Sequence, residues 1–354
     1  MKHPLVSQIL SNPAAASGLD LAGWDKLVRQ ARHAGLLARL GLMLEEAGLR
    51  QAIPPQARWH FDAERVLADR QVIAVRWEVG QIRQALAELG APIVLLKGAA
   101  YVMSGQPAAR GRLFGDIDLL VPRDKIAQAE SALMLAGWHA HAHDAYDERY
   151  YREWMHEIPP MTHVRRGSVI DLHHAILPPT ARLHPETAKL VAAALPLDGM
   201  PGLFVLQPTD LVLHSACHLF HDGELPHGLR DLSDLDLQLR HWGKDRDFWP
   251  GLARRAAELE LTRPLFYALR YARHFFGTPI PDALASLDAP EYLPLMDALF
   301  KRALAPEHPS CEDAASRPAR LAAYIRAHWL RMPPLMLAWH LLHKAFISGH
   351  APSA

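Results

Sequence analysis

The spacing of apolar residues changes twice along this chain, and that change limits its architecture more than any other feature. Up to about residue 89 the spacing is helical. Leu27, Ala31, Ala34, Leu37, Leu40, Met43 and Leu44 recur at three- and four-residue intervals within 19–50. A second helical run spans about 56–89, entered through Pro54-Pro55 and stopped by Gly90, with Val66, Ile73, Val75, Trp77, Ile82 and Leu86 assigned to its inner face. Arg58, Arg65, Arg70, Arg76 and Arg83 alternate with acids and read as its solvated face.

Short continuous runs then replace the helical period. Ala91-Pro92 leads into Ile93-Val-Leu-Leu96, followed at once by Lys97-Gly98 and the small-residue stretch to Met103, which predicts strand, tight turn and helix. Asp116-Ile-Asp-Leu-Leu-Val121 is a second strand, ended by Pro122, and 123–136 a helix capped by Gly137. Met161–Val164 and Ser168–His174, joined by Arg165-Arg-Gly167, predict a hairpin. From about Pro208 the helical period returns in six segments separated by prolines. The expected fold class is α+β: a small mixed β-sheet core over 90–205, flanked by an N-terminal helical region, 1–89, and a C-terminal helical domain, 206–354.

Composition excludes several classes. Half of the 354 residues are hydrophobic and 21% charged, so most of the chain is not disordered. Lys+Arg 38 against Asp+Glu 38 leaves no net field for a polyanion, so nucleic acid is a disfavoured partner despite a small basic excess after residue 300. Cys217 and Cys311 are the only cysteines, which rules out a disulfide framework and fits a reducing, cytoplasmic setting. No signal peptide is read at the N-terminus. The apolar run 335–347 is interrupted by His340, His343 and Lys344, falls short of the ~20 residues of a membrane span, and reads as a buried or amphipathic helix.

The candidate chemistry lies in the mixed region. Strand alternation puts Asp116 and Asp118 on one face, where their mutual repulsion invites a divalent cation such as Mg²⁺ or Mn²⁺ or, on the plainer reading, solvent. Asp171 and His173 share a face of a later strand. Two acids on one strand and a third on a neighbour are what two-metal phosphoryl or nucleotidyl transfer requires. Gly98 allows close approach of a ligand before a helix N-terminus, with Lys97 as a cation, or else simply relieves the turn. His214, His218 and His221 stack on one helical face as a possible metal site, although that helix more readily packs on the core with its polar side along a cleft; His221-Asp222 is also similar to the pair used by metal-dependent phosphohydrolases. Asp231, Asp234 and Asp236 read as helix-terminal acids or as a cleft wall.

Taken together, Lys97-Gly98, Arg112-x-x-x-Asp116-Ile-Asp118 and Asp171-Leu-His173 resemble the core of an uncharacterised bacterial nucleotidyltransferase family of the polymerase-β-like superfamily, over most of 90–300. The resemblance implies catalytic and metal-binding roles for Asp116, Asp118 and Asp171. It implies Mg²⁺ or Mn²⁺ as cofactor, an NTP such as ATP as co-substrate, and nucleotide contacts from Lys97, Gly98, Arg112 and His173. The expected reaction moves an NMP to an unidentified acceptor hydroxyl. Ala99 stands where the superfamily commonly has serine or glycine, which keeps two alternatives open: an idle nucleotide-sensing or partner-binding module, and a toxin-like enzyme acting on tRNA.

Overall fold

The β-branched runs bounded by glycine and proline do become strands, and the computed structural model joins them in one sheet. It describes residues 3–140, 150–223, 225, 227–285, 287–334 and 336–337. Four helices lead: α1 Leu5–Ser11, α2 Leu21–His33, α3 Leu37–Glu46 and α4 Pro55–Ala85. The mixed region holds β1 Ile93–Leu95, α5 Lys97–Met103, β2 Asp116–Leu120, α6 Ile126–Leu135, β3 Trp138–Ala140, β4 Met161–His163, β5 Val169–His173, α7 Thr187–Ala192, β6 Leu195–Pro196 and β7 Leu203–Val205. Helices follow: α8 Pro208–Cys217, α9 Gly228–Trp242, α10 Phe248–Glu258, α11 Thr262–Phe276, α12 Asp282–Ala285, α13 Leu293–Ala303 and α14 Ser316–Arg331. The fold is α+β, as the periodicity predicts.

The seven strands run in the order β3-β4-β5-β2-β1-β7-β6. β2 lies at the centre, parallel to β5 and antiparallel to β1. The hairpin of β4 and β5 forms as expected, with Gly167 in the left-handed conformation at φ 69°. Strands β3, β6 and β7 lie in segments to which the sequence pattern assigns no strand. One continuous apolar cluster reaches from Val6 through Leu40, Val94, Leu172 and Leu232 to Phe300, so sheet and helices share a core.

Helix α4 corrects one expectation. Its buried seam is Phe61, Ala68, Val75, Val79 and Ile82, whereas Val66, Ile73 and Trp77 are 54%, 67% and 51% exposed. Trp59, Val66 and Ile73 repeat every seven residues, as Phe61, Ala68, Val75 and Ile82 do, but two positions earlier, and two residues turn a helix by about 200°. Periodicity alone therefore finds two apolar stripes on opposite sides and cannot choose between them. Arg65, Arg70, Arg76 and Arg83 are exposed as read.

Among the described residues no helix is long and apolar enough to cross a membrane. The run 335–347 lies, apart from 336–337, outside the described residues.

Candidate active site

The pairing of β2 with β5 sets the centre. In this parallel register Asp116 faces Val169, Asp118 faces Asp171 and Leu120 faces His173. Alternation sends Ile117, Leu119, Ile170 and Leu172 into the core, which leaves Asp116, Asp118, Asp171 and His173 on the other face. The three aspartates singled out from sequence are thus brought onto adjacent strands. Asp116 is exposed at the strand start, and Asp118 is buried.

Lys97, the first residue of α5, reaches the same point. Its backbone takes φ 41°, a left-handed conformation that a non-glycine residue adopts at a cost, and its Nζ donates to Asp118 Oδ1 at 2.8 Å. His173 Nε2 donates to the same oxygen at 3.1 Å. Burial opposes ionisation of Asp118, but the Lys97 ammonium and the His173 imidazole outweigh it and hold the carboxyl well below the usual range. Asp171 behaves in the opposite way: burial, then the charges of Asp118, Glu157 and Asp116, push it up to about 8. Its Oδ1 has no hydrogen-bond partner among the described residues.

A cleft of about 560 Å³ opens over Asp116 and Asp118; Asp171 and His173 are not among its lining residues. Lys97, Gly98, Phe114, Asp116 and Asp118 line one side; Ser215, His218, Arg230, Asp231 and Asp234 line the other. Gly98 is required by packing. A Cβ there would lie 2.5 Å from the Phe114 ring and 3.1 Å from Arg112 Nη1. Arg112 is buried, and its charge is shared with α9: Nε donates to Asp234 Oδ2 at 2.7 Å and Nη2 to Asp231 Oδ1 at 3.4 Å. Arg39 of α3 holds the other oxygen of Asp234 at 2.7 Å and also donates to Ser233 Oγ and the Ala108 carbonyl. Asp231 and Asp234 therefore form a cleft wall, the second of the two readings given to them. Burial works against the charge of Asp231, yet Arg230 and Arg112 hold its carboxyl below the usual range.

The histidine helix contributes differently from the stacked cluster its spacing suggests. Helix α8 ends at Cys217 and His218–Asp222 form a π-helical turn, whose wider winding advances about 80° per residue and turns His221 out of line with His214. His218 lines the cleft, as the polar side of this helix was expected to do. His214 is buried beneath it, and burial followed by the Lys97 charge lowers its pKa well below the usual histidine value. Ser215 joins α8 to α5 through a 2.7 Å hydrogen bond with the Tyr101 hydroxyl.

Sequence reasoning passed over Arg39, Tyr101, His156 and Glu157. Glu157 Oε2 lies 3.4 Å from His173 Nε2. No periodic signal marks it, because it sits just before Pro159-Pro160 in a stretch that the pattern leaves unassigned.

Carboxylates on adjacent strands of a mixed sheet, beside a lysine-bearing turn and under a cleft, define a fold of the nucleotidyl-transfer class. The family model described as uncharacterised nucleotidyltransferase matches residues 20–277, and the chain belongs to that family. The match begins well before residue 90, so helices α2 to α4 are part of the family unit. No curated protein matches the chain.

The donor chemistry of the centre, three carboxylates on one face of the sheet, suits a hard divalent cation, although their oxygens are not gathered within the 4.8 Å that joins His156, Glu157 and His173. Asp171 combines a buried Oδ1 that has no partner among the described residues with a pKa raised by burial first and by the neighbouring carboxylates second, and oxygen donors suit Mg²⁺ or Mn²⁺.

Proposed function

We propose that this chain transfers a nucleoside monophosphate from an NTP to an acceptor hydroxyl in a Mg²⁺- or Mn²⁺-dependent reaction, with pyrophosphate leaving. The observation that carries the reading is the register of Asp118 against Asp171, which sets a third carboxylate beside the Asp116/Asp118 pair. Asp116, Asp118 and Asp171 would hold the cation. When bound, it neutralises phosphate charge and lowers the pKa of the acceptor hydroxyl.

The protein's own groups supply the rest. Lys97 fixes the rotamer of Asp118 through its 2.8 Å bond, so that carboxylate is positioned in advance. Asp171 Oδ1 is the atom placed to take the acceptor's proton, which requires that the positive charge of the cation first bring the raised pKa of Asp171 down and leave the carboxylate ionised. Gly98 and the Nη1 corner of Arg112 form the turn where the triphosphate lies. Arg230 and His218 on the opposite side stand over the acceptor. Ala99 is buried in α5, where a hydroxyl would face the core rather than a phosphate, so its departure from the superfamily pattern does not weaken this reading. With zero formal net charge the acceptor need not be a nucleic acid, and two buried cysteines outside any disulfide suit the cytoplasm.

Incubation with each α-labelled NTP and Mg²⁺ or Mn²⁺ tests the proposal. Pyrophosphate release that Asp118→Asn lowers by about 10²–10³-fold is expected. NTP binding with no release in any condition would favour the idle sensing module, and affinity unchanged in both Asp116→Ala and Asp118→Asn would sink the reading.

A further inference from the structure

A second donor cluster of different chemistry lies beside the aspartates. His156, Glu157 and His173 each offer a ligand atom, and these atoms all lie within 4.8 Å of one another. It is the one group of three or more such residues, among those described, that is drawn together in this way.

The backbone builds this cluster. In the hairpin Met161 faces Ile170 and Thr162 faces Val169, so an unbroken ladder would put Ile158 opposite His173. Prolines 159 and 160 have no N–H to give, and the ladder stops there. It resumes one residue out of step, as a β-bulge, with Glu157 opposite His173. Ile158 N donates to Leu172 O at 3.0 Å and His174 N to His156 O at 2.9 Å, which makes Glu157 and His173 a close pair of the kind that brings side chains together. The shift puts a carboxylate where an isoleucine would stand.

The side chains are arranged as ligands. Glu157 Oε2 and His173 Nε2 are 3.4 Å apart, about the separation of two donors ~2.0–2.1 Å from one tetrahedral ion, which would take the place of the Nε2 proton that His173 gives to Asp118. The His156 ring lies 5.3 Å from that of His173, centroid to centroid. His173 is 3% exposed and its Nδ1 has no hydrogen-bond partner among the described residues, an imidazole more deeply buried than its bonds account for. Asp118 Oδ1, 3.1 Å from His173 Nε2, lies beside the group but is not one of its three members.

We propose that His156, Glu157 and His173 bind a divalent transition ion such as Zn²⁺. Two imidazoles and one carboxylate suit Zn²⁺ or Co²⁺, whereas the all-oxygen aspartate set suits Mg²⁺, so the two centres differ by donor type. The ion clamps the 156–158 arm to β5 beside Asp118, and its binding does not require that the transfer reaction proposed above take place.

The test is a Co²⁺ titration of the chelator-stripped full chain in excess Mg²⁺, read by visible absorption and calorimetry. One Co²⁺ per chain is expected, displaced by Zn²⁺. His156→Gln and Glu157→Gln each weaken it by more than the ~10–100-fold that loss of an outer-sphere partner costs, and Asp116→Asn leaves it unchanged. Absence of Co²⁺ and Zn²⁺ binding in Mg²⁺ overturns the proposal, as does binding that survives in both His156→Gln and Glu157→Gln. Should these variants fail to fold, X-ray absorption at the zinc edge of the wild-type chain decides: two imidazoles support the site and an all-oxygen shell refutes it. A Co²⁺ site in a chain that releases no pyrophosphate would count against the transfer reaction alone.

Discussion

The two walls of the cleft hold carboxylates in opposite ways. On the helical wall Asp231 and Asp234 meet three arginines, Arg39, Arg112 and Arg230, and each oxygen of Asp234 accepts a guanidinium. On the sheet wall Asp116 and Asp118 line the cleft beside Lys97, the neighbouring Asp171 and Glu157 add their charge from outside its lining, and Asp171 is left raised to about 8. One wall is electrically satisfied and acts as scaffold. The other carries an excess of negative charge that folding alone does not need, and such an excess is the mark of a site.

Removing one member from each wall should expose the difference. The largest loss of stability is expected from Asp234→Ala, which leaves Arg39 and Arg112 buried without their shared partner and should cost about 3–5 kcal/mol in urea unfolding. A cost under about 1 kcal/mol would erase the contrast. Asp171→Asn should act with the opposite sign. The folded carboxyl titrates near 8 and the unfolded one near the ordinary 3.8, so the folded chain holds the extra proton between these values and loses stability as pH rises through them. The variant has no such proton to lose. Its melting temperature should exceed that of the wild type by a margin that grows from pH 4 to pH 8, roughly 2–4 °C for each kcal/mol released, and shrinks when Mg²⁺ is added. A margin that does not change with pH would place the crowding elsewhere.

Smaller effects sharpen the picture at the edges. Gly98→Ala forces a methyl group against the Phe114 ring and should cost about 1–3 kcal/mol while weakening NTP binding. Ile73→Lys, on the outer stripe of α4, should stay within about 0.5 kcal/mol of the wild type by thermal unfolding.

The sheet wall was legible because strand alternation is local: Asp-Ile-Asp and Asp-Leu-His state their own faces, and only the neighbouring of β2 and β5 had to be supplied by the fold. The helical wall was not. Arg39 and Asp234 are 195 positions apart, and nothing in either helix announces the other. Glu157 was hidden by a register shift that pattern reading does not follow past two prolines. The inner face of α4 was misread because its two apolar stripes have the same period.

The diproline at 159–160 is usually the sign of an ending. Here it works as a spacer, and the identity of the residue beside His173 depends on how many positions lie along one arm of a hairpin. A single-residue insertion between Ile158 and Met161, with the bulge kept, would leave every side chain of the centre in the sequence and still exchange a carboxylate for an alkyl group at that point. In this part of the molecule, chemistry is encoded by counting as much as by composition.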